Sequence, residues 1–124
     1  MREPEPLTGL RVVATPAAID AISLPVGATL LRIAPDDAIV TRVSDATLDD
    51  TFAIVEPEFT FMQWQLTADE FAGIVHHIEW PLPEPGALGQ GLIAGVPAKI
   101  VITDDHVQLI VSAGLVHELM ARLW

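Results

Sequence analysis

The chain has no cysteine and no tyrosine, and its only lysine is Lys99. Without cysteine, disulfides, thiolate nucleophiles and cysteine-based zinc sites are excluded. Positive charge is scarce: six Lys+Arg stand against seventeen Asp+Glu, a formal net charge of −11 at pH 7. Binding to a phosphate backbone needs a basic footprint, so nucleic acid is not expected as a partner. An anionic membrane surface is disfavoured for the same reason. No apolar run approaches the roughly 18 residues of a membrane span. The opening Met1-Arg2-Glu3-Pro4-Glu5-Pro6 is acidic and proline-rich, unlike a targeting segment. These absences point to a soluble, acidic, cytoplasmic protein.

What is present is a globular composition. Of 124 residues, 51% are hydrophobic and 19% charged, which suits one core rather than a disordered chain. Residues 1–8 read as a flexible N-terminal tail and 9–124 as a single domain.

The element pattern is mixed. Gly9–Ala14 reads as a strand, and Thr15 caps a helix over Pro16–Ser23 with proline at its first position. Thr29–Ile33 and Ala38–Val43 read as strands around Pro35-Asp36-Asp37. Thr51–Val55 and Phe59–Leu66 read as a second hairpin around Glu56-Pro57-Glu58. Thr67 and Glu70 form a capping-box pair before a helix with Phe71, Ile74, Val75 and Ile78 on one stripe. Ala98–Thr103 and His106–Val111 alternate around Asp104-Asp105, with Ile102 opposite Val107 and Ile100 opposite Leu109. Ser112 offers a cap for a last helix burying Leu115, Val116, Leu119, Met120 and Leu123. Helices interrupting runs of strands predict an α+β fold: antiparallel hairpins in one or two sheets, packed with two or three helices. Both halves carry an Asp-Asp hairpin followed by a helix, a faint internal echo.

Catalytic chemistry is hard to find. His76 and His77 would point about 100° apart on a helix, and no HExxH or His-x-His spacing accompanies His106 or His117. Ser23, Ser44 and Ser112 are the only serines, and none sits in a G-x-S-x-G elbow. Asp36-Asp37, Asp49-Asp50 and Asp104-Asp105 fall in turns and lack the calcium-loop pattern. Gly86, Gly89, Gly91 and Gly95 do not lead into a helix, so they read as turns or bulges rather than a phosphate loop. No catalytic residue, metal or cofactor is therefore expected.

Two kinds of surface remain. Gln90, Gly91, Gly95 and Lys99 are candidates for contact with a ligand. Both faces of Phe59–Leu66 begin apolar, and apolar residues left over after one core is filled are typical of interfaces. Met62, Trp64, Val101, Ile110 and Trp124 are the interface candidates. A protein partner or a homo-oligomer is expected.

Gly89–Ile102, GQGLIAGVPAKIVI, is followed by an Asp-Asp hairpin and VSAGLVHELMARLW. This run resembles the C-terminal part of sarcosine oxidase gamma subunits, small relatives of the folate-dependent aminomethyltransferase fold. Leu30–Val40, LLRIAPDDAIV, is similar to that family's R-L-x-P-D-E strand-turn-strand. The resemblance spans residues 28–124, and no catalytic motif carries over. It implies a non-enzymatic accessory subunit that buries an apolar sheet face in a homo-oligomer or larger enzyme complex. The alternative is a small-molecule, folate-like binding domain or degenerate transferase, with Gly89–Pro97 lining the pocket.

Overall fold

Alternating apolar side chains set the strands, and capped turns set the helices, in a computed structural model that describes residues 3–124. In chain order the elements are β1 (Glu5–Pro6), β2 (Gly9–Val13), α1 (Pro16–Asp20), β3 (Leu30–Ala34), β4 (Asp37–Thr41), β5 (Ile54–Glu58), β6 (Phe61–Leu66), α2 (Ala68–Ala72), a 3-10 turn (Val75–His77), β7 (Leu88–Ile93), β8 (Val96–Ile102), β9 (Val107–Ser112), a 3-10 turn (Ala113–Leu115) and α3 (Val116–Leu123). The strands form two antiparallel sheets, ordered β1-β6-β9-β8-β7 and β3-β4-β2-β5. The fold is α+β. Among the described residues, no helix is long and apolar enough to cross a membrane.

The domain expected over 9–124 resolves into two compact units. One is Leu7–Phe59, holding the four-stranded sheet. The other is Thr60–Trp124 together with β1, holding the five-stranded sheet. The expected flexible tail is therefore partly structured: Glu5 pairs with Gln63, Pro6 with Met62, and Leu7 is buried. Met1 and Arg2 of that tail lie outside the described residues.

In Leu7–Phe59, the side chains of Leu10, Val12, Ala38 and Val40 project from paired strands onto α1, which adds Ala18 and Ile19. Thr15 caps α1 as the sequence suggests, its Oγ1 accepting from the Ala18 N–H. Gly9 is a packing requirement. A Cβ there would lie 2.1 Å from the Val40 carbonyl oxygen, so only glycine lets β2 run this close to β4.

In the other unit, Trp64, Leu66, Ile100, Val107, Leu109 and Val111 share one sheet face, covered by Ile74, Val116 and Leu119. The pairs Ile102–Val107 and Ile100–Leu109 form as their alternation predicts. The capping box also forms: Thr67 Oγ1 accepts from the Glu70 N–H, and Glu70 Oε1 from the Thr67 N–H.

Three local expectations are corrected. Strands β5 and β6 do not form a hairpin; β5 pairs with β2, and β6 with β1 and β9. The helix after Thr67 ends at Gly73, and the chain continues as a 3-10 turn, so Ile74 alone of the expected stripe is fully buried. Ser112 makes no side-chain cap; it ends β9, and α3 begins at Val116.

Candidate functional site

The sequence-derived ligand candidates do not converge. Gln90 and Lys99 are cross-strand neighbours on β7 and β8. The Lys99 ammonium lies 5.2 Å from the Phe61 ring centroid, an attraction between a cation and the electron-rich ring face. Gly91 belongs to the other face of the sheet, where the Trp80 indole fills the space a side chain would need. A Cβ at Gly91 would sit 2.7 Å from Trp80 Nε1, and one at Gly89 2.9 Å from Pro83. Trp80 Nε1 donates to the Leu92 carbonyl at 2.8 Å. The two glycines thus form a shelf for an indole, not a cradle for a ligand. Gly95 lies in the turn of the β7–β8 hairpin. There Ala94 and Gly95 both have positive φ, 49° and 80°, as a type I′ turn requires.

The interface candidates are also dispersed. Trp64 is buried in the core, its ring centroid 5.6 Å from that of Trp124. Val101 and Ile110, on the sheet face away from that core, are only 5% and 0% exposed, so neither presents side-chain surface in this chain. Met62 is half-buried against the core, and Trp124 is 42% exposed. Of the five, only Trp124 offers substantial surface.

The exposed apolar residues lie elsewhere. Phe52 is 89% and Phe59 74% exposed, and between them Ile54 and Val55 are also exposed. The segment carries β5, the outer strand of its sheet. Pro57 suits this position, because an edge strand tolerates the loss of one N–H. The turn leading into β5 is held by Asp50, whose carboxylate accepts from the Thr15 N–H and the Phe52 N–H, both at 2.9 Å. Those bonds, first Thr15 and then Phe52, hold its pKa below the usual aspartate value.

Two open clefts lie among the described residues. One, about 540 Å³, is lined by His76, His77, Glu79, Trp80, Leu92 and the Ala94-Gly95 turn. The 3-10 geometry draws the two imidazoles together, ring centroids 4.0 Å apart, instead of splaying them as a helix would. No group of three or more His, Cys, Asp or Glu side chains among the described residues is placed to hold a metal ion. The other cleft, about 590 Å³, lies between the end of α1 and the segment after β4, with Arg42 on its wall.

Sequence reasoning missed Arg42 and Phe52, noted Phe59 only as part of an apolar strand face, and missed the pairing of Trp80 with Gly89 and Gly91. The Gly-x-Gly spacing was the one available signal for the last of these. No family model matches the chain, nor does any curated protein or solved structure.

Proposed function

We propose that this chain is an interaction subunit that docks onto a different protein through the apolar edge from Phe52 to Phe59. The supporting observation is that four large apolar side chains, Phe52, Ile54, Val55 and Phe59, are exposed within eight residues on and beside an edge strand. Isolated exposed apolar residues are ordinary, but a local concentration at a sheet edge marks contact surface. Edge strands left bare invite pairing, and Pro57 limits how much backbone pairing this one can offer. Side-chain burial by the partner is then the main source of affinity.

Charge selects the partner. Asp49, Asp50 and Glu56 accompany the apolar residues, and the whole chain carries −11. Self-association would bring two such charges together, whereas a partner with an apolar groove rimmed by Lys or Arg would be attracted. A heterologous, basic-rimmed protein is therefore the occupant. In this role the chain acts like a sarcosine oxidase gamma-type subunit, accessory to a larger cytoplasmic enzyme. The test is a complex re-formed from purified components: Phe52→Asp with Phe59→Asp should leave the melting temperature unchanged and abolish assembly. Assembly that survives both changes refutes the assignment.

A second reading rests on the 540 Å³ cleft, where Trp80, His76 and His77 supply three rings beside Glu79. Such a wall suits a planar heteroaromatic ligand of the folate kind, anchored by stacking. Thermal stabilisation by a folate, lost in Trp80→Ala, supports it; no stabilisation by folates or flavins removes it.

A further inference from the structure

Arg42 is the one described lysine or arginine whose side chain makes no hydrogen bond, ion pair or ring contact with a described residue. Arg11 is held by Asp37 and Glu58, Arg32 by Asp20 and backbone carbonyls, and Arg122 by Glu118 and the Ala94 carbonyl. Lys99 covers the Phe61 ring. Arg42 is exposed and lines a cleft, so its guanidinium is open to an anion from solution.

Its backbone is unusual. Arg42 has φ 60°, in the left-handed region that a side chain bearing a Cβ enters at a cost. The neighbours enforce this conformation. The Arg42 N–H donates to the Thr8 carbonyl at 3.2 Å, and the Thr41 N–H to the Thr29 carbonyl at 2.9 Å. The buried Thr41 hydroxyl is bonded to that of Thr29 at 2.6 Å. Glycine would meet the same backbone demand without strain, so arginine is not there to make the turn.

The cleft is amphipathic. Ile22, Val43 and Pro25 contribute apolar lining, and Ser23, Ser44 and Thr47 line the same cleft as Arg42. Beside it the Pro25–Ala28 turn, closed by the Ala28 N–H donating to the Pro25 carbonyl, presents Val26 fully exposed. Asp45 lines the same cleft. With one carboxylate and one guanidinium among its lining residues, the cleft favours a ligand with a single negative charge over one with two.

We propose that this cleft binds a small aliphatic monocarboxylate, its carboxylate on Arg42 and its tail against Ile22, Val43 and Pro25. Guanidinium–carboxylate pairing supplies the orientation, and the apolar wall supplies the preference for a tail over a bare anion. A cleft of about 590 Å³ is within the usual size for such ligands.

The experiment titrates the full chain with sodium hexanoate and, separately, inorganic phosphate, following backbone amide NMR shifts up to about 10 mM, enough to reveal a millimolar site. The expected result is saturable hexanoate shifts at Ser23, Arg42, Ser44 and Thr47, at least tenfold weaker affinity in Arg42→Asn, and tighter binding in Asp45→Asn. Asparagine tolerates the left-handed backbone, so Arg42→Asn should melt no lower than the native chain. Arg42→Gln, which keeps most of the side-chain length without the charge, gives the same loss by a second route. Absence of saturable hexanoate shifts, affinity in both Arg42 variants as high as in the native chain, or phosphate binding as tightly as hexanoate would each overturn the proposal.

Discussion

Arg11 and Asp37 are joined by two side-by-side hydrogen bonds, Nε to Oδ1 at 2.5 Å and Nη2 to Oδ2 at 2.7 Å. Glu58 lies 3.5 Å from the same guanidinium, so one cation on β2 ties β4 on one side to β5 on the other. Bonding to Asp37 raises the arginine pKa further, so it stays charged at any ordinary pH. This arrangement differs from the solvated turn expected of Asp36-Asp37: Asp37 is already in β4, and its carboxylate is part of the sheet.

Replacing Arg11 should therefore cost more than replacing either acid alone. Arg11→Gln is expected to lower stability by about 1–2 kcal/mol, a range reduced from that of buried pairs because the side chain is one-third exposed. Urea denaturation of Arg11→Gln, Asp37→Asn and the double variant measures the coupling. Additive losses would show that the two groups do not act together.

Gly9→Ala should be among the most damaging single changes in this chain. The new methyl would meet the Val40 carbonyl at 2.1 Å, and that neighbour is backbone that cannot step aside. A loss of at least about 2 kcal/mol is expected, near the upper part of the usual overpacking range. A melting temperature within a degree or two of the native chain would contradict the described β2–β4 spacing.

Ala94→Asn should stabilise. Alanine occupies a left-handed position in the β7–β8 turn at φ 49°, where asparagine is better tolerated and Asn-Gly is the preferred pair. The gain expected from thermal or urea unfolding is about 0.5–1 kcal/mol. A loss would show that this hairpin does not turn as a type I′.

Asp50 gives the account a pH signature. Its folded pKa lies below the ordinary 3.8 because the Thr15 and Phe52 amides stabilise the carboxylate. Its contribution is thus complete above the unfolded value and is lost as pH falls through the folded one. Stability measured between pH 5 and about 2 should fall less steeply in Asp50→Asn than in the native chain. Equal acid limbs would show that the carboxylate does not hold this turn.

What could be read from the residues alone was the local structure. Ile100, Ile102, Val107 and Leu109 alternate around a short Asp-Asp turn, so their register follows from neighbours in sequence. Thr67 and Glu70 announce a helix start because both cap bonds form within four residues. The failures are non-local. Nothing near Phe61–Leu66 says that its partner is β9, some 45 residues on, rather than the adjacent β5. Gly73 ends a helix whose apolar stripe continues through Ile78, and the stripe's periodicity does not register that break. The interface candidates other than Trp124 follow from sheet alternation. Alternation separates faces without saying which face is covered: it points to Val101 and Ile110, which are buried, as readily as to the Phe59 face, which is exposed, and it says nothing of Phe52. Arg42 was illegible for a different reason: its left-handed backbone is imposed by Thr8 and Thr29, far from it in sequence.

The central claim, a heterologous protein held on the Phe52–Phe59 edge, is tested most directly by placing a photo-reactive amino acid at one surface position at a time in the native host. Substitution at Phe52 or Phe59 is predicted to yield one discrete crosslinked product with a different protein, and substitution at exposed His117 none. Crosslinks from His117 but not from Phe52 or Phe59, or a product containing only two copies of this chain, would contradict the account.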